Sequence, residues 1–300
     1  MTAPSAAAPV KASSLPFLAL IAGGVAVGFS PIFVRLSDLS PIASGFYRLA
    51  LAYPAVLLLA KLYPDAPTGP LTAKERGLLI FTGLIFGLDI ICWHLALAYT
   101  TVADATLISN TAPIMVALGA FLIFGQRMSP MFVMGLGLAV AGVFSLAIQK
   151  AGSAAPVDRL TGDGLAVGAA MSYATYLLLL SKLRRKHGTQ RIMLYTTFVS
   201  AALLFPLALF TAPTMISGSL AGWGILLAMA LISHVGGQAT MTYALAHLPA
   251  AYSSMTQLMQ AAVALVAAWA ILGESLTIMK LVSAAVILIG ILICRRAGSR

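Results

Sequence analysis

"FGLDIICWHLALAY" runs from Phe86 to Tyr99. It lies within an apolar stretch, 77–97, yet carries Asp89, Trp93 and His94 close together. Crossing a bilayer takes about 20 predominantly apolar residues, so the stretch reads as a membrane helix with two ionisable groups inside it. The rest of the chain reads the same way. Of 300 residues, 60% are hydrophobic and only 9% charged, and the mean hydropathy is +0.99. A soluble domain carries about 25% charged residues. Ten segments fit a bilayer crossing: 16–35, 42–61, 77–97, 102–124, 131–149, 162–181, 192–212, 220–245, 249–272 and 277–294. The expected fold is an all-α integral membrane protein of ten transmembrane helices, with no room for a separate sensing or catalytic domain.

Residues 1–15 are rich in Ala, Ser and Pro and read as a disordered cytoplasmic tail. They lack a basic start, a short apolar core and a cleavage site, so no signal peptide is expected. Cys92 and Cys294 have no metal-ligand spacing and imply no disulfide framework.

The net charge of +10 could suggest nucleic acid, but its distribution points elsewhere. With ten helices and an internal N-terminus, thirteen basic residues fall on one side, including Lys61, Lys74, Arg76 and the run Lys182–Arg191. Arg35, Lys150, Arg159 and Lys280 fall on the other, and Arg48 lies within helix 2. Short cytoplasmic loops carry the excess of Lys and Arg. Both termini are therefore expected in the cytoplasm. The charge reports topology first and contact with anionic lipid second, with no nucleic-acid partner.

The opening stretch also carries a repeat. At an offset of 148 residues, Ala96-Leu97-Ala98 falls on Ala244-Leu245-Ala246, Gly125-Gln126 on Gly273-Glu274, Phe121 on Trp269 and Gly142 on Gly290. Near the start the offset is 144: Ala22, Gly24, Gly28 and Phe29 fall on Ala166, Gly168, Ser172 and Tyr173. Two units follow, 16–149 and 162–295. Each holds five helices, an odd number, so the second must enter the membrane from the opposite side. Inverted repeats of this kind place a substrate site near the bilayer midplane and support alternating access. Duplication retained only for packing is the alternative.

The chain resembles the drug/metabolite transporter superfamily in its ten-helix form, built from two EamA-type repeats. The resemblance covers nearly all 300 residues. It is carried by Gly24 and Gly28 with Gly168 and Ser172, by Phe46-Tyr47-Arg48, and by "ADATLISNTAPIMVALGAFLIFGQ" (Ala103–Gln126) with its counterpart "AYSSMTQLMQAAVALVAAWAILGE" (Ala251–Glu274). Gln126 stands where the family commonly has Glu, and Ala261 stands opposite Pro113. Among the branches, the chain is most similar to the bacterial aromatic amino acid exporters of the YddG type. The resemblance implies a multi-pass protein of the bacterial inner membrane acting on small molecules.

Residues at i, i+3, i+4 and i+7 share one helix face. Thr106, Ser109, Asn110 and Pro113 form such a stripe on helix 4, and Ser253, Thr256, Gln257 and Gln260 another on helix 9. In lipid such stripes should turn inward, and together they suggest a wet cavity. His234, Gln238 and Thr242 follow at four-residue spacing on helix 8. Tyr173 and Tyr176 on helix 6 fit either the pocket or the interfacial aromatic belt. The candidate substrate-binding residues are Trp93, His94, Asn110, Tyr173, His234, Gln238, Gln257 and Gln260. Pro54, Pro113 and Pro206 lie inside helices 2, 4 and 7, and Pro113 is the candidate gate.

A charge at the bilayer centre costs about 2.5–3.5 kcal/mol on insertion scales. Asp89 therefore binds a substrate ammonium, relays a proton or makes a structural hydrogen bond. Arg48, read near the outer end of helix 2, either snorkels to the interface or binds a carboxylate. His94 and His234 are either proton carriers or neutral hydrogen-bonding groups. Asp89 and Trp93 share one side of helix 3, whereas His94 lies about 140° away from Asp89.

These features point to an exporter of small amphoteric metabolites, above all aromatic and other neutral amino acids, acting by alternating access as a monomer. A cation or multidrug exporter is the main alternative, because Asp89 and Trp93 face one way. A nucleotide-sugar or sugar-phosphate carrier would want several internal basic groups. An intramembrane enzyme or a channel is the reading from another class. H-E-x-x-H and G-x-S-x-G are absent from the sequence, so no catalytic residue, cofactor or metal is expected.

Overall fold

The computed structural model describes residues 14–65, 69–99, 108–125, 128–150, 159–248, 255–273 and 277–298. Among them every regular element is a helix. They are α1 (Ser14–Gly28), α2 (Ser30–Leu36), α3 (Pro41–Ala50), α4 (Ala52–Leu62), α5 (Ala73–Tyr99), α6 (Ala112–Phe124) and α7 (Pro130–Lys150). The second half holds α8 (Arg159–Leu183), α9 (Thr189–Thr211), α10 (Leu220–Ala228), a π-helical segment (Met229–Gln238), α11 (Ala239–Ala244), α12 (Met255–Leu272) and α13 (Ile278–Gly298).

Six stretches are long and apolar enough to cross a membrane: Leu15–Leu36, Pro41–Leu62, Ala73–Ala96, Leu160–Leu183, Thr189–Thr211 and Leu220–Ala244. Four shorter apolar helices, Ala112–Phe124, Pro130–Ser145, Leu258–Ile271 and Ile278–Cys294, occupy the fourth and fifth places of each half. Large apolar side chains cover the outside: Phe210 is 89% exposed and Leu220 92%. An apolar surface this continuous belongs against lipid.

Three interruptions have a common cause. A proline lacks the N–H that bonds back to residue i−4 and crowds that carbonyl. Pro31 lies just past the break at Phe29, Pro54 just past the break at Leu51, and Pro113 just past the turn at Asn110–Thr111. Each ends up in the first turn of a new helical segment, where its missing N–H is harmless. Pro54 and Pro113, expected inside helices, thus sit at segment starts. Pro206 alone of the three stays inside a continuous helix, α9.

The packing exchanges when each helix is replaced by its counterpart. α5 packs on α8, and the π segment with α11 packs on α1. α6 packs on α8, and α12 on α1. α3 crosses α9, and α7 crosses α13. The α7–α13 crossing follows the 148-residue offset atom by atom. A Cβ on Gly290 would stand 2.6 Å from Gly135 O and 2.6 Å from Ala139 N. The exchanged site is Gly142, whose Cβ would stand 2.9 Å from Ser283 O and 3.0 Å from Ile287 N. Gly125 and Gly273, 148 residues apart, both adopt left-handed backbone at φ 64° and 67° after α6 and α12. Only glycine enters that region freely.

Polar clasps close both ends of the span Pro41–Leu62. At one end Asp38 Oδ2 accepts from Ser217 Oγ at 2.8 Å and from Gly218 N at 3.0 Å. At the other, Asp65 accepts from Gln190 N at 3.2 Å and Arg191 N at 2.8 Å, supplying a cap to α9 from a distant loop. Beside it Glu75 Oε1 lies 3.8 Å from Lys186 Nζ and 3.9 Å from His187 Nε2.

His187 is only 5% exposed. Burial lowers its pKa below the ordinary histidine value; Glu75 opposes this in part, and Arg191 and Lys186 add to it. A histidine held neutral in the folded state binds protons more readily when unfolded, so stability falls as pH drops below about 6.5. The expected result is an apparent melting temperature that declines more steeply from about pH 7.5 to 5.5 in the native protein than in His187→Gln. Parallel declines would remove this role.

Candidate functional site

Helices from both halves bring polar groups to the middle of the bundle. The break before Pro31 frees Ser30, whose Oγ accepts from Arg48 Nη1 on α3 at 3.1 Å. Arg48 is 6% exposed, and its Nε is buried with no hydrogen-bond partner. The interface reading of Arg48 is therefore corrected. Arg48 stands in the last turn of α3, well inside the span Pro41–Leu62 rather than near its end, and it is buried against Ser30 of α2.

Asp89 on α5 is half-buried and has neither an ion pair nor a hydrogen bond among the described residues. Phe86, three residues earlier on the same face, is 2% exposed and stacks on Tyr176 with ring centroids 4.6 Å apart. The same Phe86 ring lies 5.8 Å from the His234 ring. Tyr173 and Tyr176, 4% and 1% exposed, stand 6.2 Å apart on α8. They line the interior and not the interfacial belt. Tyr173 donates to Met241 Sδ at 3.4 Å, and Thr242 Oγ1 donates to Met193 Sδ at 3.7 Å.

The π segment supplies the opposite wall. π turns inside α-helices are rare and concentrate at functional sites. His234 and Gln238 both lie in this segment and both are buried. His234 Nε2 meets Thr197 Oγ1 at 2.9 Å, while His234 Nδ1 and Gln238 Oε1 are buried without partners. Burying a polar group without a hydrogen bond costs about 1–3 kcal/mol on protein scales. Arg48 Nε on α3 and His94 Nε2 on α5 are buried without partners in the same way.

His94 turns away from Asp89. Its Nδ1 meets Ile90 O at 2.7 Å, and it packs where α3 crosses, near Gly45. Its Nε2 is buried without a partner. Trp93 is half-buried and meets the His94 ring edge-on at 5.1 Å. Asn110 is 8% exposed, in the turn before α6, and Pro113 is buried one turn further on. Gln260 sits at the α1–α12 crossing opposite Gly28. Gln257 lies on α12, but its side chain, like those of Thr106, Ser253 and Thr256, falls outside the described residues. Tyr173, Tyr176, Phe86 and His234 thus form one chain of ring contacts, with Asp89 one turn along α5, Gln238 one turn along the π segment and Arg48 on α3, which packs on both; Asn110 and Gln260 sit on neighbouring helices. Reading the sequence alone leaves Ser30, Phe86 and Thr197 out of the site. Phe86 was recoverable, being one turn before Asp89. Ser30 and Thr197 reach the cluster only through helix crossings.

An all-helical bundle with an apolar exterior, a tandem architecture and polar groups gathered at its centre defines a membrane protein that handles a small molecule within the bilayer. The EamA-like transporter family matches the chain twice, over residues 14–148 and 160–296. The chain belongs to this family and is a multi-pass membrane transporter.

Its relatives include the pseudopaline exporter CntI of Pseudomonas aeruginosa, 26% identical over 212 residues, covering 71% of each chain. The threonine/homoserine exporter RhtA of Salmonella typhimurium is 29% identical over 239 residues, covering 78% of this chain and 76% of its own. An uncharacterized transporter of Archaeoglobus fulgidus is 24% identical over 279 residues, covering 93% and 95%. A solved crystal structure shares the fold at a TM-score of 0.77 and 14% identity, over 96% of this chain and 99% of that one.

Proposed function

We propose that this transporter exports small amphoteric metabolites, chiefly neutral and aromatic amino acids, across a bacterial inner membrane. It does so as a monomer of ten spans in two inverted units, 16–149 and 162–295, with both termini in the cytoplasm. The observation that carries this reading is the central cluster. Arg48, Asp89, His234 and Gln238 present unsatisfied polar atoms among the rings of Phe86, Tyr173 and Tyr176. Charged ends of an amino acid need such polar partners, and its side chain needs an apolar or aromatic wall. The relatives named for amino acid and pseudopaline export support the same class of cargo. Pro113, at the polar break before α6, is the proposed gate.

Export of organic cations is the second reading, favoured by Asp89 standing on one face of α5 with Phe86 and Trp93. Uptake into liposomes holding the purified protein separates the two. Labelled phenylalanine or threonine is expected to enter faster than into empty liposomes, and ethidium is not. Transport of ethidium alone, or of nothing, would contradict the amino acid reading. Trp93→Ala, Asn110→Ala and Gln257→Ala are each expected to slow uptake while eluting as folded protein.

A further inference from the structure

Resting on the amino acid reading, we propose that the central site takes its substrate as a zwitterion, with Arg48 holding the free carboxylate and Asp89 the free ammonium group of one molecule. α3 packs on α5, and Gly45, one turn before Arg48, meets Ile90, the residue after Asp89, so two opposite charges stand on adjoining helices within about a turn of one level, yet they do not form an ion pair among the described residues. A direct pair is the ordinary way to offset two charges taken out of water. Here Ser30 holds the guanidinium from α2 through Nη1, and Nε is left buried without a partner. Asp89 is anchored on a different helix, half-buried, with no described group satisfying its oxygens.

Charge counting selects the ligand. The cluster carries one guanidinium and one carboxylate. An organic cation would satisfy Asp89 but leave Arg48 repelling it. A phosphate or lone carboxylate would satisfy Arg48 but meet Asp89. A net-neutral molecule with both charges satisfies each group. The guanidinium fork matches a carboxylate in plane and in hydrogen-bond number, and a carboxylate is the natural acceptor for an ammonium. Phe86 and Tyr176, stacked beside them, offer a wall for the side chain. The site therefore reads the two ends of an α-amino acid strictly and the side chain loosely.

The test uses reconstituted protein, uptake of labelled phenylalanine or threonine, and two competitors for each. One is the amino acid amide, which lacks the carboxylate; the other is the deaminated acid, which lacks the ammonium. In the native protein each is expected to compete at least about tenfold more weakly than the unlabelled amino acid, as expected when one partner of a buried charged contact is removed. Asp89→Asn is expected to raise KM for the amino acid at least about tenfold while the deaminated acid competes as well as before or better. Arg48→Gln is expected to do the converse with the amide, and Arg48→Lys to recover only part of the loss. Competition by either analogue as strong as that by the unlabelled amino acid in the native protein, or equal weakening of amino acid and deaminated acid in Asp89→Asn, would overturn the assignment and leave amino acid export standing. Absence of any amino acid uptake by the native protein would instead remove the reading on which it rests. The competition in the native protein needs no variant to fold.

Discussion

Gly290→Leu is expected to yield no stably folded protein, and even Gly290→Ala is expected to melt well below the native chain. A Cβ at this position would stand 2.6 Å from Ala139 N and from Gly135 O, and 2.7 Å from Ala139 Cβ. Two of those three atoms are backbone, so neither can rotate aside. Small residues let membrane helices approach this closely, and overpacking a close crossing costs about 1–3 kcal/mol or more. The expected cost of Gly290→Ala lies at or above the top of that range. Gly137→Ala, on α7 itself, is the control: nothing lies within 4 Å of its would-be Cβ. It is expected to change stability by no more than about 0.5 kcal/mol. Apparent melting temperatures in detergent, read by size-exclusion after heating, compare the two. Equal values for Gly290→Ala and Gly137→Ala would mean that the α7–α13 crossing is not the tight seam described.

Phe86→Ala is expected to abolish transport and cost about 3–5 kcal/mol, the usual range for emptying a buried aromatic site. The ring is 2% exposed, stacks on Tyr176 and reaches His234. It thus joins α5, α8 and the π segment, and its loss both opens a cavity and releases the wall beside Asp89. Phe86→Leu restores most of the volume. It should recover most of the melting temperature while leaving substrate affinity reduced, because the stacked face is gone. Full transport by Phe86→Ala would exclude Phe86 from the site. Equal affinity in Phe86→Leu and the native protein would restrict it to packing.

The sequence carries the broad architecture in its simplest variables. Apolar runs of bilayer length place the helices, and the pairs Gly125/Gly273 and Gly142/Gly290 reveal the repeat that the α7–α13 crossing then displays in contacts. The site is legible where one helix declares it: Asp89 is conspicuous because nothing around it in sequence excuses a charge. It is illegible where the decisive geometry lies between helices. Arg48 near the start of an apolar run looks like an interfacial residue, and only the break before Pro31, which sets Ser30 against it, turns it inward. The four-residue spacing of His234, Gln238 and Thr242 marks a face but not the π winding that shapes it, since no proline or glycine pattern encodes a π turn. Tyr173 and Tyr176 are equally at home in a belt or a pocket until their burial decides.

The central claim, that one site in the bundle is served alternately from the two sides, is tested most directly by counterflow. Liposomes bearing the purified protein are loaded with unlabelled amino acid, diluted into a trace of the labelled form, and sampled over time without an ion gradient. Alternating access predicts a transient accumulation of label above its equilibrium level, because internal substrate speeds the return of the inward-facing site. Monotonic equilibration of label, unaffected by internal substrate, would contradict it and point to a channel.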